Sequence, residues 1–111
     1  MDFEKQIRQK LYQEEFKENN GRVIRTINIL QGHYINLHSL KEALSEYMNI
    51  AEFDESIVYL HKSCYVEIRA KWSKKVVIDI NEYSYKELEV CFTQKGIKLL
   101  RGFISDEAVQ V

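Results

Sequence analysis

Along residues 37–64 the apolar positions recur at the three-and-four spacing of two short helices. Leu37, Leu40, Ala43, Leu44 and Tyr47 fall on one helical face, and Phe53, Ile57, Leu60 and Cys64 fall on another. The link Met48–Ala51 is short, so the two helices are neighbours with a shared core. The period then changes. In Cys64–Lys71, Val66, Ile68 and Ala70 alternate with Tyr65, Glu67, Arg69 and Lys71, which is the pattern of a half-buried strand. Trp72-Ser73-Lys74-Lys75 turns the chain, Val76–Ile80 is β-branched and strand-like, and Asn81–Ser84 breaks it. Leu88, Val90 and Phe92 mark a further strand. Residues 85–89 are open between strand and a short helical turn.

Upstream, Asp2–Glu18 reads as a helix capped by Asp2 and ended by Asn19-Asn20-Gly21, which tolerate the left-handed conformation. Phe3, Ile7 and Leu11 form a narrow stripe that Tyr12 and Phe16 widen. Such a stripe suits packing on its own domain or pairing with a second copy as a homodimer arm. Arg22–Gln31 forms the next helix, with Val23, Ile24, Ile27 and Leu30 inward and Gly32 as its stop. His33–Asn36 is a short first strand, and Asn36 or Ser39 caps the helix that follows. Thr93 caps a last helix with Ile97 and Leu100 inward, and Gly102 ends it. The acidic tail Phe103–Val111 is expected on the surface. The element order predicts an α+β fold. It is a winged helix-turn-helix with a three-helix core, a small antiparallel sheet and wing, plus an N-terminal and a C-terminal helix. Residues 1–20 would be the N-terminal helix and 21–111 the winged-helix domain.

Composition narrows the partners. The 111 residues carry a net charge of −1, so attraction to nucleic acid must come from local patches. No window reaches the apolar length of a membrane span, and the charged start MDFEKQIRQK has no apolar leader core. A cytoplasmic protein is expected, with no membrane partner and with Cys64 and Cys91 as reduced, buried thiols. His33, His38 and His61 show no metal-ligand spacing with each other or with the cysteines. No nucleophile elbow, phosphate-cradling glycine loop or acidic metal motif occurs. No enzyme, cofactor or metal is expected.

Two stretches carry a family likeness. In DESIVYLHKSCYVEIRAK, Tyr59-Leu60 and Tyr65-Val66 stand where a recognition helix ends and enters a strand; FTQKGIKLLRG matches a closing motif through Thr93, Lys95, Gly96, Leu99, Leu100 and Gly102. These residues resemble small winged helix-turn-helix proteins of bacterial prophages and mobile elements. Cys64 stands where that family often has Gly, and Trp72–Leu88 is long for a simple wing. The resemblance implies double-stranded DNA as partner and a regulatory or accessory role. In that reading Glu55, Ser56, Tyr59 and Lys62 of the second helix face the major groove, and wing residues Arg69, Lys71, Trp72, Lys74 and Lys75 hold the backbone. Arg22 and Arg25 would add to that patch. Against it, Glu52, Asp54 and Glu55 make the recognition helix acidic at its start. The alternative is a winged-helix scaffold whose acidic face meets a basic protein partner.

Overall fold

The computed structural model describes residues 2–30 and 32–111. Among them lie four helices and a small antiparallel sheet: α1 (Phe3–Ile29), β1 (Ile35–Asn36), α2 (Leu37–Ala43), α3 (Ile50–Lys62), β2 (Val66–Ala70), β3 (Leu88–Phe92) and α4 (Gln94–Leu100). The sheet order is β1-β3-β2, with Ile35 and Ile68 both opposite Val90. This α+β arrangement is compatible with a winged-helix layout.

The first departure from expectation is at Asn19-Asn20-Gly21. These residues do not end a helix. α1 runs through them, so the anticipated domain edge at residues 20 and 21 falls inside one continuous helix. The anticipated end of that helix at Gln31 lies outside the described residues. The reason for the continuity is tertiary. The Gln110 N–H donates to the Lys17 carbonyl at 3.1 Å, and Asn20 Nδ2 donates to the Ala108 carbonyl at 2.9 Å. The Arg25 guanidinium donates to the Gln110 carbonyl. A Cβ on Gly21 would overlap the Gln110 carbonyl, so glycine here makes room for a strand of tail rather than for a turn. Glycine inside a helix costs about 1 kcal/mol relative to alanine; the docked tail offsets it.

The tail lies largely on the surface, as expected, but it is docked there at two points. Val109 is buried, and Asp106 Oδ2 accepts from Tyr59 Oη at 2.7 Å and from Tyr65 Oη at 2.8 Å. Burial alone would raise the Asp106 carboxyl. Hydrogen bonds from Tyr59, the Ala108 N–H and Tyr65 outweigh that and hold it below the usual carboxylate range.

The other helices begin where the side chains provide a cap. Asn36 caps α2, accepting from the Ser39 N–H at 3.2 Å. Asn49 caps α3 in a reciprocal box: its side chain accepts from the Glu52 N–H at 2.8 Å, and Glu52 accepts from the Asn49 N–H at 2.9 Å. The link between these helices is thus residues 44–49, displaced from Met48–Ala51. Phe53, Ile57 and Leu60 of α3 meet Val23, Ile24 and Ile27 of α1, Ile68 of β2 and Leu88 and Val90 of β3 in one core.

α4 closes that core at close range. Thr93 Oγ1 accepts from the Gly96 N–H at 3.1 Å and donates to the Cys64 carbonyl at 2.6 Å. Lys95 Nζ donates to the Ser63 carbonyl at 2.9 Å. A Cβ on Gly96 would overlap the Tyr65 carbonyl. The inward residues of α4 are Gly96 and Leu99, where Ile97 and Leu100 had been expected; those two are half-buried. Cys64 has φ 64°, a left-handed conformation that glycine adopts more readily, and it is exposed, in contrast to its expected burial. Cys91 is buried and both thiols are free. Among the described residues no helix is long and apolar enough to cross a membrane.

Candidate interaction surfaces on α3 and the wing

The long segment between β2 and β3 is not a plain β2–β3 hairpin. After Ala70 the chain turns tightly: the Lys74 N–H donates to the Ala70 carbonyl and the Ala70 N–H to the Lys75 carbonyl, both at 2.9 Å. Val76 then pairs with Arg69 on the outer edge of β2, and the Val77 N–H donates to the Ile68 carbonyl at 2.9 Å. The expected strand Val76–Ile80 stops there. The chain bends at Ile78, and Ile80–Glu82 and Tyr85–Glu87 form single 3-10 turns that lead back to β3. This return path runs along one flank of α3. Val77 and Ile80 face Val58 and His61 across a half-open groove of about 380 Å³, and Tyr85 Oη donates to Asp54.

The opposite flank of α3 is covered by α1. Tyr12 Oη donates to Glu55, Asn19 Nδ2 donates to Glu52 at 3.4 Å, and the Phe16 ring meets the Tyr59 ring edge-on at 5.3 Å. What α3 leaves outermost is Ile50, Ala51, Glu55 and Lys62. Two of the four residues assigned to a groove-reading face are placed elsewhere. Ser56 is fully buried in the core, one turn from Phe53 and Leu60. Tyr59 is half-buried, with its hydroxyl given to Asp106. Burial and that hydrogen bond raise its pKa.

The wing cations are also rearranged by the fold. Glu89 of β3 stands opposite Arg69 of β2. Its Oε1 accepts from Arg69 Nε at 2.6 Å and from Lys74 Nζ at 3.0 Å. Burial would raise the Glu89 carboxyl, but Lys74 and Arg69 outweigh it and its pKa is lowered. The Arg69 guanidinium also lies 3.5 Å from the Tyr34 ring centroid. Tyr34 in turn donates to Glu67. That hydrogen bond, burial and the nearby carboxylate charge push the phenol up to about 12. Arg69 and Lys74 are thus bound into the outer face of the sheet. Lys71, whose ammonium sits 5.1 Å from the Trp72 ring, and Lys75 remain at the surface. Arg22 and Arg25 do not join them. Arg22 pairs with Glu18 and covers the Tyr47 ring, and Arg25 holds the tail.

The acidic cluster of α3 is treated differently. Glu52, Asp54 and Glu55 all accept hydrogen bonds, yet each donor recorded here is neutral: Asn19 and the Asn49 N–H for Glu52, Tyr85 for Asp54, Tyr12 for Glu55. Among the described residues none of the three has a Lys or Arg within salt-bridge distance. Sequence patterning puts Arg69 and Glu89 on outward strand positions, but their registry was not legible. Tyr12 and Glu55 are 43 residues apart, and nothing local announces their contact.

No family model, curated protein or solved structure matches this chain.

Proposed function

We propose that this chain is a winged helix-turn-helix scaffold used for protein–protein interaction, in which the acidic end of α3 meets a basic partner. One observation carries the reading. Glu52, Asp54 and Glu55 are fixed in place by neutral donors with no Lys or Arg within salt-bridge distance among the described residues, while two of the four wing cations, Arg69 and Lys74, are engaged by Glu89. A helix with that face repels phosphate and favours Lys or Arg on a partner. The apolar side chains exposed on the wing, Trp72 at 81%, Val76 at 59% and Ile78 at 92%, are interface chemistry rather than backbone-clamping chemistry.

A second reading has its own support. Lys71 lies against exposed Trp72, and Lys75 is also at the surface, which suits contact with a DNA backbone, and the likeness to prophage winged-helix proteins points to a regulator or accessory factor of a mobile element.

Fluorescence anisotropy separates the two with two probes, labelled poly-lysine and labelled mixed-sequence duplex DNA, each titrated with salt. The interaction reading expects poly-lysine to bind, to bind more weakly in Glu55→Gln, and to bind more tightly than the duplex does when each is titrated separately. Tight duplex binding whose salt slope falls by about one unit in Lys75→Gln overturns it in favour of DNA. So does an absence of poly-lysine binding at low salt.

A further inference from the structure

The turn that carries Trp72 brings Lys75–Val77 onto the outer edge of β2, and that edge is open. The Lys75 carbonyl and the Val77 N–H point at β2, where they bond Ala70 and Ile68. By strand alternation the N–H and C=O of Val76 point the other way. So does the Ile78 amide. None of these groups has a partner among the described residues. The side chains alternate as well: Val77 is buried, while Val76 and Ile78 project into solvent. An unpaired edge with exposed β-branched residues is a template for another strand.

We infer that this edge pairs with the same edge of a second copy, antiparallel and centred on Val77. The spacing of the sequence selects that occupant. In this register Val77 faces its own counterpart, Val76 faces Ile78, and Lys75 faces Asp79 at both ends. Lys75 and Asp79 are both exposed. The outward amides and carbonyls of Val76 and Ile78 fall opposite one another as a hydrogen-bonded pair. The apolar side chains meet on one face, and the flanking charges are complementary. A two-fold axis closes the assembly at a dimer, leaving no second edge to propagate. The bend at Ile78 limits the shared ladder to the Val76–Ile78 pairs, and Asp79, whose carboxylate also accepts from the Asn81 N–H at 3.0 Å, meets Lys75 by its side chain from beyond the bend. Lysine beside an open edge ordinarily blocks pairing; here Asp79 of the second copy answers it. The pairing does not depend on whether α3 binds a protein or DNA, because it uses a different part of the surface.

Sedimentation equilibrium of the full chain tests the register. The wild type is expected to associate to twice the 13.2 kDa chain mass. K75D sets acids opposite acids, and D79K sets lysines opposite lysines; each alone is expected to weaken association roughly tenfold. Mixing the two variants restores both complementary pairs, and the mixture is expected to associate as the wild type does. Circular dichroism checks that each variant folds before it is mixed, and either folded variant alone also tests the register. A wild type that stays monomeric overturns the pairing. So does K75D associating like the wild type, or a mixture no stronger than its parts. Association that survives K75D but is lost in I7K assigns the dimer to the α1 stripe instead, and also overturns it.

Discussion

Two parts of the chain treat their neighbours in opposite ways. Where Thr93–Leu100 meets Ser63–Tyr65 the α4 closure is a set of close backbone contacts: Thr93 on the Cys64 carbonyl, Lys95 on the Ser63 carbonyl, Gly96 against Tyr65, Leu99 fully buried. From Lys71 to Tyr83 the wing holds its backbone with a few turn bonds and leaves Trp72, Val76 and Ile78 in solvent. Within the segment FTQKGIKLLRG, Thr93, Gly96 and Leu99 each have a packing reason to be there. Residues at such positions speak of how the fold closes. The exposed apolar side chains and the carboxylates without a cation lie in the wing and on α3.

The contrast breaks most sharply at Gly96. Gly96→Ala forces a methyl into the Tyr65 carbonyl and is expected to destabilise the fold by about 1–3 kcal/mol, the range for overpacking a dense site. Chemical denaturation reads it as a lower midpoint at unchanged slope. A neutral result would mean that α4 has room to shift and is not the tight closure described.

Asp106→Asn acts on the tail and should cost less. It weakens two tyrosine hydrogen bonds and keeps the shape, so a loss on the order of 1 kcal/mol is expected at neutral pH. The sign with pH follows from the lowered carboxyl. A depressed folded value contributes stability above the unfolded value near 3.9, and that contribution is lost as pH falls through the folded value. Thermal melts at pH 7 and in acid should converge for wild type and variant as the pH drops. Parallel curves would remove Asp106 from the stability argument.

Trp72→Ala is expected to do least, within about 0.5 kcal/mol, because the ring is 81% exposed and packs against no core residue. A loss of 2 kcal/mol or more would make the wing part of the folded scaffold and end the distinction drawn here.

Local chemistry was legible in the chain. The periodic apolar faces of α2 and α3, the caps at Asp2, Asn36 and Thr93, and the alternation in β2 follow from interactions within a few residues, which sequence records directly. So do the basic character of Trp72–Lys75 and the acidic start of α3. What those charges do was decided elsewhere. Glu89 reaches Arg69 and Lys74 only through strand registry, and Tyr12 reaches Glu55 only because α1 crosses α3. Asn19-Asn20-Gly21 has the local signature of a helix end, yet it is a helix interior because a tail ninety residues downstream in the fold's closing segment supplies carbonyls and an amide to it. Likewise Val76–Ile80 has the composition of a full strand, but bends after Val77 because Ile80 is drawn to the flank of α3. Short-range preferences amount to about 1 kcal/mol per residue, and a long-range contact of similar size reverses them. The sequence determines which segments want to be helix or strand and where charge is concentrated. The tertiary structure decides which charges are spent inside the molecule and which are left for a partner.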